Sequence, residues 1–295
     1  MRVILLVIAG LIGLAGAGFA GIYLRSEAML RDVPERVAFD VSLPKGADAI
    51  AQGRHVARTR GCFGCHGQDL QGKDFGEQWD WPDRAVAPNL AAYAREHDAA
   101  TIEAAVRQGI GQDGKALMSM PSYNFARLSD ADMAALIAFL QSAPIIENPL
   151  PRARLGWGPR LALITGEEPH MAELAGLVPQ LSVDAAAEPQ RAAGEYLAMT
   201  MCNECHGFDV RGQSYWPPPT PDLMLVAAYS REDFATLIRT GTSGGRELGL
   251  MSLVAPDRFP DLSENEIDAL YAYLSSLIDE PVAEDVFWRP AGGAE

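Results

Sequence analysis

Basic residues and cysteine are both scarce in this 295-residue sequence. Lys and Arg total 24 against 39 Asp and Glu, which gives a net charge of −15 at pH 7. This deficit argues against nucleic acid as a partner, because phosphate binding requires clustered Lys and Arg. It disfavours a peripheral grip on anionic lipid headgroups for the same reason. Only four Cys are present, which excludes a disulfide-dense mini-protein.

One long uncharged run, VILLVIAGLIGLAGAGFAGIYL, lies between Arg2 and Arg25. As a helix it would measure about 33 Å at roughly 1.5 Å per residue, enough for a bilayer core of about 30 Å. We expect residues 1–25 to form an uncleaved transmembrane signal anchor, because a cleaved signal peptide has a shorter apolar core of about 7–15 residues. A cleaved signal peptide is the alternative, since the stretch 15–17 offers small residues to a peptidase.

Small residues recur every four positions in this run, at Ala9, Gly13, Ala17 and Gly21. On a helix they form one stripe that another transmembrane helix can approach closely. The alternative is a signal segment that is simply rich in small residues, which are common in membrane spans. A transmembrane helix partner is therefore one of two open interpretations.

The sequence repeats itself after residue 45. AQGRHVARTRGCFGCHGQDLQGK, from Ala51, parallels AAGEYLAMTMCNECHGFDVRGQ, from Ala192. Later segments also correspond: Trp81–Pro82 with Trp216–Pro217, Pro88–Asn89–Leu90 with Pro221–Asp222–Leu223, and LSDADMAALIAFLQS with LSENEIDALYAYLSS. We therefore predict two similar domains. They occupy residues 46–143 and 189–280, are joined by an ordered Pro-rich segment over 144–188, and are followed by a tail over 281–295.

Each repeat is typical of three helices joined by long loops, and no convincing alternation of strand type is seen. The predicted fold class is therefore all-α, with two such domains after a transmembrane helix. The closing helices have the clearest start signals: Ser129 and Ser263 stand at N-cap positions, with Asp132 and Glu266 three residues later as in a capping box. Within the Pro-rich segment, short helices are predicted around Pro159–Thr165 and Met171–Leu177.

Each repeat contains one Cys-x-x-Cys-His motif, and together the two motifs use every Cys of the chain. This is the attachment signature of c-type haem. Two thiols three residues apart lie on one side of a helical turn and can form thioethers to both vinyl groups of one macrocycle, while the adjacent His reaches the iron. A shared four-cysteine zinc site or redox disulfides are alternatives, but neither requires a His directly after the second Cys, twice. The candidate residues are Cys62, Cys65 and His66, and Cys202, Cys205 and His206.

The iron of a haem needs a sixth ligand, and Met is the usual one in electron-transfer cytochromes. The candidates are Met118 and Met120 in the first repeat and Met251 in the second, each in a loop before the closing helix. We favour Met120 over Met118, because Pro121 locks the chain beside it. The remaining His residues are expected on the surface, since Met already fills the sixth position; they are His55, His97 and His170.

Residues 46–280 resemble two tandem class I cytochrome c domains, as in diheme cytochromes c and the cytochrome subunits of bacterial membrane dehydrogenases. The matching features are both Cys-x-x-Cys-His motifs, the P-N-L and P-D-L turns, the Met120–Pro121 loop and the closing helices. Met251 departs from the pattern, because no Pro follows it. The resemblance implies that the carbonyls of Pro88 and Pro221 accept hydrogen bonds from the proximal His of each motif. Trp81 and Trp216 are expected to cover haem edges or to pack in the core.

The resemblance also implies where the chain works and what it does. C-type haem is attached outside the cytoplasm, so the chain should cross the inner membrane once, with a cytoplasmic N-terminus and periplasmic domains. We expect a non-enzymatic electron carrier with two covalently attached haem c groups. Its expected redox partners are a quinol-oxidising complex, a terminal oxidase or a periplasmic dehydrogenase. The alternative is a diheme peroxidase or another haem oxidoreductase, which requires an open or displaceable sixth position at the iron.

Overall fold

The chain begins with one long helix, α1 (Arg2–Arg31), in a computed structural model that describes residues 2–76, 83–214, 219–283 and 286. Within those ranges, α1 is the one helix long and apolar enough to cross a membrane. It continues beyond the predicted 1–25. Its last turns are part of the folded protein, because Ser26, Glu27 and Leu30 are buried there.

Twelve shorter α-helices follow α1 in the described ranges. They are α2 (Ala47–Thr59), α3 (Cys62–His66), α4 (Leu90–Glu96), α5 (Ala99–Arg107), α6 (Asp130–Ser142), α7 (Trp157–Thr165), α8 (Met171–Leu177), α9 (Pro189–Met201), α10 (Asn203–His206), α11 (Arg231–Thr240), α12 (Leu250–Arg258) and α13 (Glu264–Ser276). Single 3-10 segments cover Ser122–Phe125, Leu223–Ala228 and Leu277–Asp279. The predicted all-α class is confirmed.

The strands of the described residues are two residues long and form three antiparallel pairs. They are β1 (Lys73–Asp74) with β3 (Val86–Ala87), β2 (Asp83–Arg84) with β4 (Arg154–Leu155), and β5 (Thr242–Ser243) with β6 (Arg246–Glu247). Pairs as short as these connect neighbouring loops and do not form a layer of β-sheet. The β2–β4 pair ties the first repeat to the segment that follows it.

Each repeat holds more helices than the three predicted. The Cys-x-x-Cys-His segments form helical turns of their own, α3 and α10. In the first repeat the middle region is divided in two, because Asn89 and Asp98 each cap a new helix: their side chains accept hydrogen bonds from the Ala92 and Thr101 amides at 3.0 and 2.8 Å. Both capping residues are visible in the sequence, so the division was open to prediction.

The first and last helices of each repeat cross at a glycine. Gly53 of α2 faces the Ala135 carbonyl of α6, and Gly194 of α9 faces the Ala269 carbonyl of α13; a Cβ at either glycine would overlap that oxygen. The crossings therefore occur at equivalent positions of the two repeats. Apolar side chains packed around them form two separate cores, with members such as Val56, Met133, Leu136 and Ile137 in the first and Leu197, Ile267, Leu270 and Leu274 in the second.

Both closing helices start at the predicted serines. The Ser129 hydroxyl accepts from the Asp132 amide at 3.2 Å, and the Ser263 hydroxyl accepts from the Glu266 amide at 3.3 Å. Only the second closes a full capping box, with the Ser263 amide donating to Glu266 at 2.9 Å. The capping box expected at Ser129 is wrong, because its amide donates to the hydroxyl of Tyr196 at 3.3 Å instead.

The segment over 144–188 contains both predicted helices, α7 and α8. Helix α7 packs on α1, and α8 packs on the 3-10 segment Ser122–Phe125. His170 caps α8, since its Nδ1 accepts from the Glu173 amide at 3.1 Å. The expectation of a surface position is wrong for His170, which is buried, and burial lowers the pKa of its imidazole so that the neutral ring can act as an acceptor.

Candidate functional site: two Cys-x-x-Cys-His turns

Each Cys-x-x-Cys-His segment is one helical turn that ends at a left-handed glycine. Gly67 follows His66 with φ 83°, and Gly207 follows His206 with φ 89°. A side chain at either position would be strained, so the glycines let the chain leave the turn at once. In both turns the two thiols are three residues apart and face the same side. All four Cys are free thiols in the structure.

Burial keeps the unmodified thiols protonated. It raises the pKa of Cys62 and of Cys202 to about 12, and that of Cys205 to about 11. Among the described residues, no three His, Cys, Asp or Glu side chains gather as a metal site. The shared four-cysteine zinc site is therefore not supported, and the donor set of each turn is two thiols and one imidazole.

The imidazole of each turn is held by a proline carbonyl. His66 Nδ1 lies 2.8 Å from the Pro88 oxygen, and His206 Nδ1 lies 3.0 Å from the Pro221 oxygen. Since a carbonyl only accepts, Nδ1 carries the proton and Nε2 keeps its lone pair for a metal. Burial lowers the pKa of both rings, which favours that neutral form. The hydrogen bonds that the family resemblance implies are thus present in both repeats.

The loop after each turn repeats an unusual backbone conformation. Leu70 and Val210 are buried, yet both have a left-handed φ, of 60° and 56°. The Leu70 carbonyl accepts a hydrogen bond from the Leu90 amide at 2.9 Å, and the Val210 carbonyl accepts one from the Leu223 amide at 3.0 Å. Each donor stands two positions after the proline that holds the imidazole. A left-handed non-glycine residue costs on the order of 1–3 kcal/mol. Its presence at the same place in both repeats indicates that the loop is shaped to bring the proline carbonyl to the imidazole.

The three Met candidates have different surroundings. Met118 packs against the apolar cluster that joins α1 to the first repeat, which includes Leu30 and Leu163. Met120 precedes the 3-10 segment and its carbonyl accepts from the Ser122 amide at 2.8 Å. The expectation that Met251 lies in a loop is wrong: Met251 is in the first turn of α12, after Gly249 with φ 58°, and packs on the second core.

Trp81 and Trp216, expected at haem edges or in the core, lie outside the described residues, as does Pro217. His97 stacks on Tyr93 with ring centroids 4.2 Å apart. His55 is partly buried and pairs with a carboxylate of the other repeat. Neither ring is needed to complete the donor set of a Cys-x-x-Cys-His turn.

Two fully buried asparagines, one inside the second turn and one in the 3-10 segment Ser122–Phe125, have amide atoms without a hydrogen-bond partner. Neither side-chain amide atom of Asn124 has one, and the Oδ1 of Asn203 has none. Leaving a buried polar group unpaired costs about 1–3 kcal/mol. Orphaned amides of this kind fit a site that holds a further polar group. Together with the free thiols and the held imidazoles, the residues present fit a covalently attached haem in each repeat.

The two turns meet at the interface between the repeats. Arg258 of α12 donates to Glu204, inside the second turn, at 2.9 Å. The same guanidinium packs on Gly61, directly before Cys62, so closely that a Cβ there would overlap it. One arginine therefore touches both Cys-x-x-Cys-His segments. Sequence reasoning missed Arg258, because nothing in its local sequence distinguishes it from other basic residues.

Polar contacts continue along this interface. Arg60, two residues before Cys62, donates to the Thr200 hydroxyl at 3.0 Å. On the other side, Asn203 of the second turn donates to the Tyr123 carbonyl at 3.5 Å, in the segment after Met120. Arg60, Thr200 and Asn203 are all buried. The two candidate sites therefore lie close together at a packed interface between the repeats, and the repeats are not connected by a linker alone.

Known families account for both repeats. Residues 50–144 match the cytochrome c family, and residues 189–274 match the family of cbb3-type cytochrome c oxidase subunit III. The chain therefore carries two c-type cytochrome domains in tandem, and electron transfer is the role of this class of domain. Domains of this class bind covalently attached haem c, in agreement with the fit of the thiols and imidazoles.

Three curated relatives extend the similarity. The chain is 27% identical to a nicotinate dehydrogenase subunit of Pseudomonas putida, over 90% of this chain and 25% of that protein. It is 31% identical to the cytochrome c subunit of the quinone-type alcohol dehydrogenase of Gluconobacter oxydans, over 85% of this chain and 59% of that protein. It is also 31% identical to the cbb3-type cytochrome c oxidase subunit CcoP of Helicobacter pylori, over 37% of this chain and 32% of that protein. The chain thus spans less than two thirds of each relative.

Proposed function

We propose that the chain is a membrane-anchored diheme c-type cytochrome that works in the periplasm and transfers electrons between redox proteins. The observation that carries this proposal is the repeated pairing of a Cys-x-x-Cys turn with an imidazole whose Nδ1 is fixed by a proline carbonyl, at 2.8 and 3.0 Å. When bound, each haem supplies one-electron chemistry. The chain supplies the thioether sulfurs and the axial ligands, and its packing keeps water away.

The axial residues follow from the same proposal. His66 and His206 would each hold a haem iron through Nε2, while the Pro88 and Pro221 carbonyls hold the rings and increase their basicity. Met120 and Met251 would supply the second ligand to each iron. Ligation by both residues would leave no open site for a peroxide, which is why electron transfer is preferred to peroxidase chemistry.

The arrangement of the interface supports transfer from one haem to the other. Both Cys-x-x-Cys-His turns touch residues of the opposite domain, through Arg258 and Asn203. If each turn held a haem, an electron would pass from one domain to the other through packed protein, without a diffusive step. The packed interface would also hold the two turns at a fixed separation.

Helix α1 supports a location at the membrane, and the attachment of c-type haem supports the side of the membrane on which the two domains lie. An uncharged run whose helix continues into the buried residues Ser26, Glu27 and Leu30 is suited to a retained anchor. Since c-type haem is attached outside the cytoplasm, we place both domains in the periplasm and the N-terminus in the cytoplasm.

A dehydrogenase is the proposed electron donor. Two of the three relatives are named as dehydrogenase subunits, and each aligns over most of this chain. The oxidase subunit aligns over 37% of it, and supports a terminal oxidase as the electron acceptor. Co-purification from native membranes tests these partners. A chain that is isolated alone and stays monomeric in mild detergent would contradict both a permanent complex and a transmembrane helix partner on the Ala9–Gly21 stripe.

The haem content and ligation test the function itself. We expect two haem c per chain by pyridine haemochrome assay, and one after Cys202→Ala with Cys205→Ala. The reduced protein should be low-spin at both haems and should not bind CO rapidly. A single haem per wild-type chain would overturn the diheme assignment, and a high-spin haem that binds CO would move the chain to the peroxidase class.

A further inference from the structure

Helix α7 presents two large apolar side chains to the outside. Trp157 and Leu161 are each 50% exposed, and they lie one turn apart on the same face of the helix. The residues on its other face, including Ala162 and Leu163, are buried. The helix is therefore packed on one side and apolar on the other, so its outer face requires an explanation.

Trp157 lies beside the apolar run of α1. Its ring packs edge-on against Phe19, with centroids 5.0 Å apart and an interplanar angle of 63°. Phe19 stands five residues before Leu24, the last residue of the uncharged run, which is about 7.5 Å along a helix at roughly 1.5 Å per residue. If α1 crosses a bilayer, Trp157 is held at the level of the membrane interface, where Trp is enriched in membrane proteins.

Buried polar contacts fix α7 at this level. The Arg160 guanidinium lies over the Tyr23 ring, with Cζ 4.4 Å from the centroid. It also donates to the Ser26 hydroxyl at 2.7 Å and to Glu27 at 2.9 Å. Since Arg160 and both of these acceptors are buried, α7 cannot leave α1 without exposing or orphaning a charge.

The segment around α7 lacks acidic residues between Glu147 and Glu167. Residues 148–166 contain Arg152, Arg154 and Arg160 and no acidic residue, in a chain of net charge −15. Arg154 and Arg160 line a cavity of about 570 Å³ between this segment and α1, together with Tyr23 and Trp157. The exposed guanidinium of Arg152 suits an anionic lipid headgroup at this height.

We propose that α7 is a second membrane contact of this protein. It lies along the periplasmic leaflet with Trp157 and Leu161 in the headgroup–acyl boundary, while the exposed Arg152 faces anionic headgroups. The occupant of the exposed face is the lipid bilayer. This inference rests on the proposed anchoring by α1, and it adds that the first cytochrome domain is held against the membrane surface at a fixed tilt.

Photo-crosslinking in nanodiscs tests the contact in the full-length holoprotein. The photoreactive residue p-benzoylphenylalanine (Bpa) replaces one leucine at a time: Leu11→Bpa in the middle of α1, Leu161→Bpa on α7, and Leu253→Bpa on α12 as the matched control. These three leucines are exposed, by 61%, 50% and 76%. The nanodiscs contain phosphatidylcholine and phosphatidylglycerol, and lipid adducts are quantified by peptide mass spectrometry. Unchanged haem content per chain shows that each variant has folded.

We expect severalfold more lipid adduct at positions 11 and 161 than at 253. Adduct at 161 should also fall severalfold when phosphatidylglycerol is omitted, whereas adduct at 11 should not change. If position 11 forms lipid adduct but position 161 forms no more than the control at 253, the α7 proposal is overturned, whereas the proposed anchoring by α1 is still supported. An unlabelled position 11 shows that α1 does not span the bilayer, and the proposed anchoring then fails; adduct at 161 alone would leave α7 as the sole membrane contact.

Discussion

His55 of the first domain and Glu266 of the second are joined across the interface, with Nε2 and Oε1 2.7 Å apart. His55 stands two residues after Gly53, and the equivalent residue two after Gly194 is Tyr196. The Tyr196 hydroxyl in turn donates to Asp132, at the start of the closing helix of the first domain. Each domain thus binds the N-terminal cap of the other's last helix. This reciprocity is that of a two-fold axis, so the tandem repeats pack as a symmetric dimer does.

The Glu266 contact predicts a pH dependence of stability. Burial acts to raise the pKa of Glu266, but hydrogen bonds from His55 and Ser263 outweigh it and lower the pKa to about 2 from an ordinary 4.5. A lowered folded-state pKa stabilises the protein above the unfolded value, and this contribution disappears as pH falls from about 4.5 through about 2. Glu266→Gln should therefore lose about 1–2 kcal/mol of unfolding free energy at pH 7 and have a shallower acid dependence.

Chemical denaturation at several pH values measures this effect. Asp261→Asn, which changes an exposed carboxylate in the preceding loop, is the control and should leave the profile unchanged. If wild type and Glu266→Gln give parallel profiles between about pH 5 and about pH 2, the pair does not stabilise the interface.

The arginine between the two turns predicts a coupled change of potential. A positive charge stabilises the reduced form of each haem relative to the more positive oxidised form, so Arg258→Gln should lower both midpoint potentials, by roughly 20–60 mV. Arg258→Lys keeps the charge and should move them less. Glu204→Gln should move them upward. Spectroelectrochemical titration measures all three, and a variant Arg258→Gln with both potentials unchanged would contradict an electrostatic role for the arginine that contacts Glu204 and Gly61.

The position of Met120 in the loop before the Ser122–Phe125 segment predicts a change in the potential of one haem only. Met120→Ala should lower the potential of the first haem, on the order of 100 mV or more, and leave the second nearly unchanged. Met118→Ala is the matched control. Because Met118 packs on the cluster with Leu30, its loss should reduce stability by about 1 kcal/mol and leave both potentials in place. The opposite outcome, a silent Met120→Ala, would assign the ligand to Met118.

The close helix crossings at Gly53 and Gly194 predict that adding a single methyl group there strongly lowers the stability of the fold. Gly53→Ala and Gly194→Ala each place a Cβ on a carbonyl oxygen, which forces α2 from α6 or α9 from α13. We expect a loss of about 2–3 kcal/mol for each, observed as a lower midpoint of thermal unfolding. Gly176→Ala, on an exposed face of α8 with open space around it, should be neutral or gain up to about 1 kcal/mol. Equal behaviour of all three variants would show that the crossings are looser than described.

The two Cys-x-x-Cys-His segments could be located from the sequence because short, repeated patterns encode them. Each Cys-x-x-Cys-His motif is local, and the resemblance to known cytochromes placed Pro88 and Pro221 opposite the imidazoles. The cap at Ser263 was equally local, because every partner lies within one helical turn. The surroundings of Met251 were misjudged, since a left-handed Gly249 starts a helix where a loop was expected.

Contacts between the domains could not be predicted in this way. His55 and Glu266 are 211 residues apart, and neither carries a signal that points to the other. The capping serine at 129 was found correctly, but its amide is bound by Tyr196, 67 residues away. Such pairings depend on how two finished domains dock, which is decided by the shape and charge of whole surfaces.

The attachment of α1 to the first domain determines how the protein moves. The Ala116 amide donates to the Leu30 carbonyl at 2.7 Å, and Lys115 bonds Glu27 at 2.9 Å, so the helix is grafted onto the domain without a hinge. Under the proposed anchoring, the first domain would rotate with α1 about the bilayer normal and would keep a constant angle to the membrane. A mobile electron carrier would then have to meet it at a constant height above the bilayer.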